Sequence, residues 1–348
     1  MDVSARAMVE AIHASPTQAV LYLSGGASQA LGWLMSVPGA SNTVLEAVVP
    51  YSRMSMIQLL GKVPTQFASR QTAEDMALLA YNSALKLSQP GFPVLGVGFT
   101  GALASTHPKR GDHRFHVSTR TSNQLWASTV SLSKGLRTRE QEDGVSSQYL
   151  LKAIAYGCKV PASFVSELTD TEIPDEFEIQ FDEDQELDQL INGEICFKVY
   201  PFLNDMSRAE RKIILSGSFN PLHDGHLKLL EVAASAGKTV IISNQPYFYK
   251  KAELFPGSAF VIGADTAARL INPKYYSGDY GRMLEVLSGC KSTGCVFLVG
   301  GRTVNGDFKV LDDFDIPQEL RDMFVPIPAD KFRMDISSTE IRRSQGML

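Results

Sequence analysis

The stretch ILSGSFNPLHDGHLKLL, residues 214–230, decides the fold of the second half of this chain. Its apolar start is typical of a buried strand, and Gly217 and Ser218 mark a turn at the end of that strand. A helical pattern follows, in which His223 and His226 stand three residues apart and share one face of the first turn. The sequence therefore predicts a strand, a tight turn and a helix in immediate succession.

The beginning of this helix is a candidate anion site. Free backbone N–H groups and the helix dipole favour negative charge at a helix N-terminus. Two imidazoles add hydrogen-bond donors, and Gly225 removes a side chain that would stand in the way of a phosphate. In the alternative interpretation Asp224 caps the helix, both histidines are surface residues, and the glycines only turn the chain.

Strand and helix patterns alternate through residues 208–348. Apolar strands are predicted at KTVIIS, AFVIG, GCVFLVGG and FVPIP, with helical patterns between and after them. This alternation is typical of a parallel sheet covered on both faces, whose ligands bind beyond the carboxyl ends of the strands. Residues 1–157 alternate similarly, with FPVLGVGFTGA predicted as a buried strand that runs into a glycine turn and HRFHVSTR as an exposed strand. We expect an α/β protein of two domains.

An acidic segment separates the two halves. Residues 166–190, SELTDTEIPDEFEIQFDEDQELDQL, contain no Lys or Arg and are typical of a solvated face or linker, with an acidic binding arm as the alternative. The next residues, EICFKVYPF, are compatible with an edge strand of either domain. The predicted organisation is a first domain over 1–157, an acidic linker and edge segment over 158–207, and a second domain over 208–348.

The composition excludes several classes of protein. A net charge of -5 gives no basic field for nucleic acid, and no run of 18 apolar residues predicts a membrane-spanning helix. The N-terminus lacks the apolar core of a signal peptide. The four cysteines form no CxxC pair and indicate reduced thiols rather than a zinc site. We expect no nucleic-acid or membrane partner, and a cytoplasmic protein for which the nucleus stays open as a second location.

The arrangement GSFNPLHDGHL resembles the HxGH-type nucleotidyltransferases, and in particular the nicotinamide mononucleotide (NMN) and nicotinate mononucleotide adenylyltransferases. The resemblance implies that a mononucleotide 5′-phosphate attacks the α-phosphate of ATP and that pyrophosphate leaves. It implies that His223 and His226 neutralise phosphate charge in catalysis. A magnesium ion would arrive with ATP, because the sequence has no visible all-protein metal cage. The residues that the resemblance assigns to ATP in this stretch are Gly217, Ser218, Phe219 and Gly225.

A second motif, ISSTEIRR, occupies residues 336–343. Taken alone it is explained as a capping box, because Ser337 can cap a helix and Glu340 can close the box. It also resembles the ISSTxIR motif of the same adenylyltransferases. That resemblance implies that the ATP phosphates are held by Ser337, Ser338, Thr339 and Arg342.

A third candidate element is VIGADT, where Gly263 and Asp265 follow a predicted strand. In the resembling family a GxD at this place contacts the adenosine part of ATP, and an ordinary strand-to-helix cap is the alternative. Arg302 follows the next predicted strand and is either a ligand contact or a solvated charge.

The region between His226 and Gly263 is shorter than in the resembling family. Its 36 residues, 227–262, leave no room for the additional strand and helix that usually contribute to the mononucleotide pocket. The segment NQPYFYKKAELFPGS, with two prolines, is predicted as a poor helix. ATP binding is expected, whereas turnover and the choice of acceptor stay open.

The first half resembles the C-terminal domain of the competence-damage-inducible A family, which includes NMN deamidases. The resemblance runs over about residues 5–157 and is carried by residues 22–61. That family has a serine nucleophile in ESCTGG and a lysine in YSNEAK. Tyr22 and Met56 stand at these positions, while Ser24 stands at a neighbouring threonine position. Because a hydroxyl nucleophile needs an adjacent base, we expect no deamidase activity.

Two roles stay open for this first domain. It is either a scaffold and homo-oligomerisation surface or a site that binds a pyridine nucleotide without cleaving it, through Gly25, Gly26 and the GFTGA turn. For the whole chain we expect an NMN or nicotinate mononucleotide adenylyltransferase of NAD synthesis, with ATP and a pyridine mononucleotide as partners. The alternatives are a cytidylyltransferase-like enzyme with another acceptor and a non-catalytic nucleotide-binding or scaffold protein.

Overall fold

The structure is a computed structural model in which two compact units, residues 1–186 and 187–348, divide the chain. It describes residues 1–107, 110–161, 167–200, 212–217, 219, 225–228, 240–245, 247–304, 307–328, 330 and 333–334. Within these ranges no helix is long and apolar enough to cross a membrane.

The first unit is a mixed sheet with helices packed against it. Its strands lie in the order β2-β1-β3-β4-β5-β6; the first three are parallel and the others antiparallel. The strands are β1 (Gln18–Ser24), β2 (Val44–Val48), β3 (Val94–Ala102), β4 (His113–Arg120), β5 (Gln124–Leu132) and β6 (Asp175–Gln180). The helices are α1 (Val3–Ala14), α2 (Ser28–Ser36), α3 (Ala40–Thr43), α4 (Arg53–Leu60), α5 (Arg70–Leu87) and α6 (Arg139–Gly157), and α7 (Glu183–Ile191) follows.

Two predictions for the first sheet are wrong. HRFHVSTR is a buried central strand, because β4 is paired on both sides and is covered by α5 and α6. GFTGA is not a turn but the end of β3. Gly98 of this stretch serves helix packing instead: its Cβ would lie 2.1 Å from the backbone oxygen of Ala73, so only glycine lets α5 approach this closely.

The acidic segment between the halves forms regular structure. β6 lies at the edge of the first sheet with all six residues exposed, so this part of the acidic segment is a solvated face. Glu172 of the same segment is instead buried in an ion pair with Arg137. β7 (Phe197–Tyr200) confirms the predicted edge strand, since it ends the second sheet and pairs antiparallel with β9 (Val240–Ser243).

The second unit is built on a parallel sheet, as the sequence predicts. Strand order is β12-β11-β10-β8-β9-β7, and β13 and β14 also pair with β11. All pairs are parallel except those that β7 and β12 make. The remaining strands are β8 (Ile213–Ser216), β10 (Ala259–Gly263), β11 (Val296–Val304), β12 (Asp307–Lys309), β13 (Phe324–Pro326) and β14 (Arg333–Met334). The helices are α8 (225–228), α9 (Phe248–Leu254), α10 (Ala264–Leu270) and α11 (Tyr280–Ser292), with 3₁₀ turns at Pro273–Tyr276, Leu311–Asp313 and Gln318–Met323.

Helix α9 corrects the prediction of a poor helix in NQPYFYKKAELFPGS. The seven helical residues contain no proline, so none of their hydrogen bonds is lost to one. The helix is held by packing: the ring of Phe248 lies edge-on to Phe260 of β10 and Phe297 of β11, with centroids 5.8 and 5.4 Å away.

Candidate functional site

The carboxyl ends of three parallel strands in the second unit form the candidate site. Gly263 of β10 is level with Gly300 of β11, and Leu215 of β8 is level with Val261 of β10. Two residues beyond Leu215, the chain reaches Gly217 at the same height as Gly263. Ligands of parallel sheets bind at this edge, so the loops after β8 and β10 are positioned to share one ligand.

After β8, one cluster links Gly217, Phe219 and His226. The Phe219 backbone is left-handed, with φ of 49°, and its ring is fully buried. This ring meets the half-buried imidazole of His226 edge-on, with centroids 5.1 Å apart and planes at 70°. A Cβ on Gly217 would lie 3.0 Å from Cε1 of Phe219, so the missing side chain leaves room for the ring.

After β10, a second cluster links Gly263, Asp265 and two arginines. Nη1 of Arg302 lies 3.3 Å from Oδ1 of Asp265, and Nη2 of Arg269 lies 2.5 Å from Oδ2. A Cβ on Gly263 would lie 2.6 Å from Oδ1 of Asp265 and 3.3 Å from Cδ of Arg302. Glycine at 263 therefore lets the carboxylate and the guanidinium sit against the strand end.

The segment after β9 presents aromatic rings and lysines. Tyr247 and Tyr249 are exposed and stack with centroids 5.7 Å apart, and Lys250 lies over Tyr247. Lys251 is buried beside the ring of Phe248, with Nζ 4.2 Å from the centroid. Burial lowers the pKa of Lys251 to about 8 because the charged form loses water.

Half of the predicted site lies in the described part of the chain. Gly217, Phe219, Gly225 and His226 lie after β8, and Gly263 and Asp265 after β10, at one edge of one sheet. The predictions for Ser218, His223, Ser337, Ser338, Thr339 and Arg342 fall outside the described residues. Arg302 contacts Asp265 from within β11, two residues beyond Gly300, which is level with Gly263. Among the described residues, no group of three His, Cys, Asp or Glu side chains is placed to hold a metal ion.

The first unit places Tyr22, Ser24 and Met56, the residues at the positions of the resembling motifs, in buried surroundings. Tyr22 is buried, and its hydroxyl donates to Oε2 of Glu46 at 3.3 Å, which also accepts from Ser83. Burial raises the pKa of Tyr22. Met56 is buried as well, and Oγ of Ser24 donates to the carbonyl of Pro50 at 3.2 Å. In both hydrogen bonds the acceptor is an oxygen and not a nitrogen base.

A cavity of about 670 Å³ opens beside Leu23 and Gly25, at the end of β1. Its lining includes Gly25, Gly26, Arg139 and Asp143. Arg139 donates to the carbonyls of Gly25 and Ala104 and makes no ion pair with a described residue. Asp143 accepts from both backbone N–H groups at the start of α2 and from the Ser28 hydroxyl. The sequence motifs identified neither Arg139 nor Asp143, because both stand on α6, more than 100 residues from Gly25.

Comparison with known proteins identifies the second unit. Residues 214–344 match the family model described as Cytidylyltransferase-like. Phosphopantetheine adenylyltransferase of Pseudarthrobacter chlorophenolicus is 25% identical over 143 residues, which cover 39% of this chain and 82% of that protein. The enzyme of the same name from Renibacterium salmoninarum is 24% identical over 143 residues, which cover 39% of this chain and 85% of that protein.

Structural neighbours are proteins of the competence-damaged (CinA) superfamily. The competence/damage-inducible protein of Agrobacterium tumefaciens has a TM-score of 0.36 and 17% identity, covering 45% of this chain and 97% of its own. The superfamily protein of Escherichia coli has a TM-score of 0.32 and 13% identity, covering 45% and 85%. The family match over residues 214–344 and the curated relatives agree with the parallel sheet of the second unit, and they support a nucleotidyltransferase enzyme.

Proposed function

We propose that the chain transfers the adenylyl group of ATP to NMN or nicotinate mononucleotide. An oxygen of the acceptor 5′-phosphate bonds to the α-phosphorus, the bond to the bridging β-oxygen breaks, and pyrophosphate leaves with that electron pair. The observation that carries the proposal is the pairing of two clusters, Phe219 with His226 and Asp265 with Arg302, at one edge of one parallel sheet. The cluster of Phe219 and His226 suits the phosphates of a nucleotide, and the cluster of Asp265 and Arg302 suits the nucleoside of the same nucleotide.

Each cluster has a defined role in this proposal. His226 and His223 stabilise charge on the transferred phosphoryl group, where preorganised donors lower the barrier. Asp265 accepts from ribose hydroxyls, and Arg302 fixes the carboxylate for that task. Gly217, Ser218, Phe219 and Gly225 form the loop around the triphosphate, and Ser337, Ser338, Thr339 and Arg342 hold the departing phosphates. ATP is taken as its Mg²⁺ complex, so the metal arrives with the substrate.

The acceptor is the less determined half of the reaction. The exposed stacked rings of Tyr247 and Tyr249, next to the end of β9, favour an acceptor with a flat ring such as a pyridine. The curated relatives favour a second candidate, a phosphopantetheine-type acceptor, which also presents a phosphate to ATP. The antiparallel strand β7 beside β9 is compatible with the shortened acceptor region expected from the sequence.

A substrate panel tests the proposal. The purified full chain is incubated with Mg²⁺ and either ATP or CTP, together with NMN, nicotinate mononucleotide or 4′-phosphopantetheine, and pyrophosphate and the joined product are quantified. We expect product from ATP with a pyridine mononucleotide, reduced at least about 10²-fold in His226→Ala. Product only with phosphopantetheine, or only with CTP, would replace the proposed acceptor or donor. No product from any pair would favour the non-catalytic nucleotide-binding alternative.

For the first unit we propose a pyridine-nucleotide binding site without deamidase activity. The buried, hydrogen-bonded Tyr22 and the apolar Met56 support the loss of catalysis. The cavity of about 670 Å³ and the guanidinium of Arg139 support binding of a small anionic molecule. Calorimetric titration of the full chain with NMN tests this site, and Arg139→Gln should weaken the binding about tenfold, the value of one charged hydrogen bond.

A further inference from the structure

We propose that Phe219 is a positioning residue that fixes the imidazole of His226, and that Gly217 exists to make room for it. This rests on the proposed role of His226 in phosphoryl chemistry. The ring of Phe219 is fully buried, so its side chain cannot touch a nucleotide and acts only through what it contacts. That contact is the edge-on packing with His226 at 5.1 Å.

The backbone of Phe219 is the first evidence for a special role. Its φ of 49° lies in the left-handed region, which crowds the Cβ of any residue other than glycine. A turn of this shape would ordinarily be made by glycine or asparagine at that position. The chain instead keeps a large aromatic residue there, and its fully buried ring packs against the imidazole of His226.

Gly217 supplies the second evidence. Its φ is not in the left-handed region, so no turn requires a glycine there. A Cβ at this position would meet three atoms of the Phe219 ring at 3.0, 3.2 and 3.3 Å, which is tighter than ordinary packing. The space that the Phe219 ring needs therefore explains why residue 217 is glycine. The ring of Phe219 thus packs against both Gly217, after β8, and His226 in α8.

The packing of Phe219 against His226 would affect catalysis by fixing the orientation of the imidazole. An aromatic ring at 70° to the imidazole covers one side of it and restricts its rotation about the Cβ–Cγ bond. The imidazole is only half-buried, so part of it stays accessible. A catalytic donor that must be aligned to a phosphate loses rate steeply when it is free to rotate, since small misplacements cost as much as about 10²-fold.

A double-mutant cycle separates positioning from general stability. Phe219→Leu removes the ring but keeps an apolar side chain, Phe219→Tyr keeps the ring, and His226→Gln removes the imidazole. We expect Phe219→Leu to lower kcat about tenfold with KM for ATP changed less than about threefold, and Phe219→Tyr to retain most of the rate. In the His226→Gln background, Phe219→Leu should cause no further loss. An equal loss in both backgrounds would overturn the proposal.

A second measurement does not depend on activity. In protein labelled with ¹³C-histidine, the ring signals of His226 are assigned by their absence from His226→Gln. We expect them to shift in Phe219→Leu, which removes the ring current, and to stay near the wild-type position in Phe219→Tyr. If Phe219→Leu does not fold, Gly217→Ala displaces the same ring and should shift the same signals. Unchanged signals in a folded variant overturn the inference, whereas absent activity with shifted signals overturns only the proposed function.

Discussion

Arg302 and Asp265 reach each other across the carboxyl ends of two neighbouring parallel strands, with Nη1 3.3 Å from Oδ1. The same carboxylate also accepts from Arg269, one turn along α10. The two arginines differ in their surroundings: the side chain of Arg302 is 16% exposed and that of Arg269 is 54% exposed. Water screens the outer pair far more than the inner one, so the inner pair determines the position of the carboxylate.

This difference makes the two arginines a matched pair of variants. Arg302→Gln should raise the dissociation constant for Mg·ATP about tenfold, because Asp265 loses its inner partner and rotates. Arg269→Gln removes an exposed pair with the same carboxylate and should change the constant by less than about threefold. Calorimetric titration of both variants gives the comparison. Equal effects would mean that Arg302 has no special role at the site.

Gly263 is predicted to support ATP binding because it leaves room for the side chains of Asp265 and Arg302, and not because its backbone conformation requires glycine. The Cβ of Gly263→Ala would displace the ends of two flexible side chains, Asp265 and Arg302, so the loss of stability should stay below about 1 kcal/mol while the ATP-dependent rise in melting temperature is largely lost. Gly289→Ala is the control, since its Cβ meets nothing within 4 Å in the last turn of α11. It should stabilise the unit by about 1 kcal/mol and leave ATP binding unchanged.

Lys251 is predicted to destabilise the second unit at neutral pH. Its pKa is about 8 in the folded chain against 10.5 when exposed, so below pH 8 folding buries a charge at a cost of about 3 kcal/mol. Between pH 8 and 10.5 the unfolded chain binds more protons, and stability rises with pH. Lys251→Met should therefore be more stable than wild type by about 3 kcal/mol at pH 7, and this gap should close by about pH 10.5.

The neighbouring Lys250 is the control for this effect. It is exposed, so Lys250→Met should leave stability unchanged at both pH values. Urea titrations read by circular dichroism follow both units, and the fluorescence of Trp33 and Trp126 follows the first unit alone. The second unit is therefore read from the part of the circular dichroism change that the fluorescence does not show. A gap that is the same at pH 7 and pH 10.5 would show that Lys251 is not buried in its charged form.

The first unit is predicted to release no ammonia from NMN. Restoring the family residues with Tyr22→Ser and Met56→Lys should give at most trace activity and a lower melting temperature, because the new lysine replaces a buried apolar side chain. An ammonia assay on the full chain measures the activity, and a thermal melt measures the change in melting temperature. Robust release by the wild type would contradict the assignment, and Ser24→Ala would then show whether the nearby serine is the nucleophile.

The sequence predicted most strands of the second unit because their apolar runs are bounded by glycines and prolines. Strands β8, β9, β10 and β13 and helix α11 appear where they were expected. Helix α9 was missed because its stability comes from the contacts of Phe248 with distant strands, which a local pattern does not record. For the same reason the burial of β4 was missed, since it depends on pairing with β3 and β5 on both sides.

The candidate site was predictable in its motifs but not in its internal contacts. Gly263 and Asp265 were expected at the carboxyl edge and lie there. Gly217 was expected to turn the chain and to contact ATP, and in the structure the ring of Phe219 packs against it. A left-handed phenylalanine carries no sequence signal, because backbone statistics would assign such a conformation to glycine or asparagine.

The antiparallel strand β7 sets where an independent second unit can be cut from the chain. It pairs with all four residues of β9 but precedes the region matched by the family, residues 214–344. A fragment started at residue 208 would leave the backbone N–H and C=O groups of the buried, apolar β9 open along one side. Such bare strand sides recruit other chains and drive precipitation. Expression of the second unit alone should therefore yield monomeric material when the fragment begins at Leu187, and aggregates when it begins at Arg208.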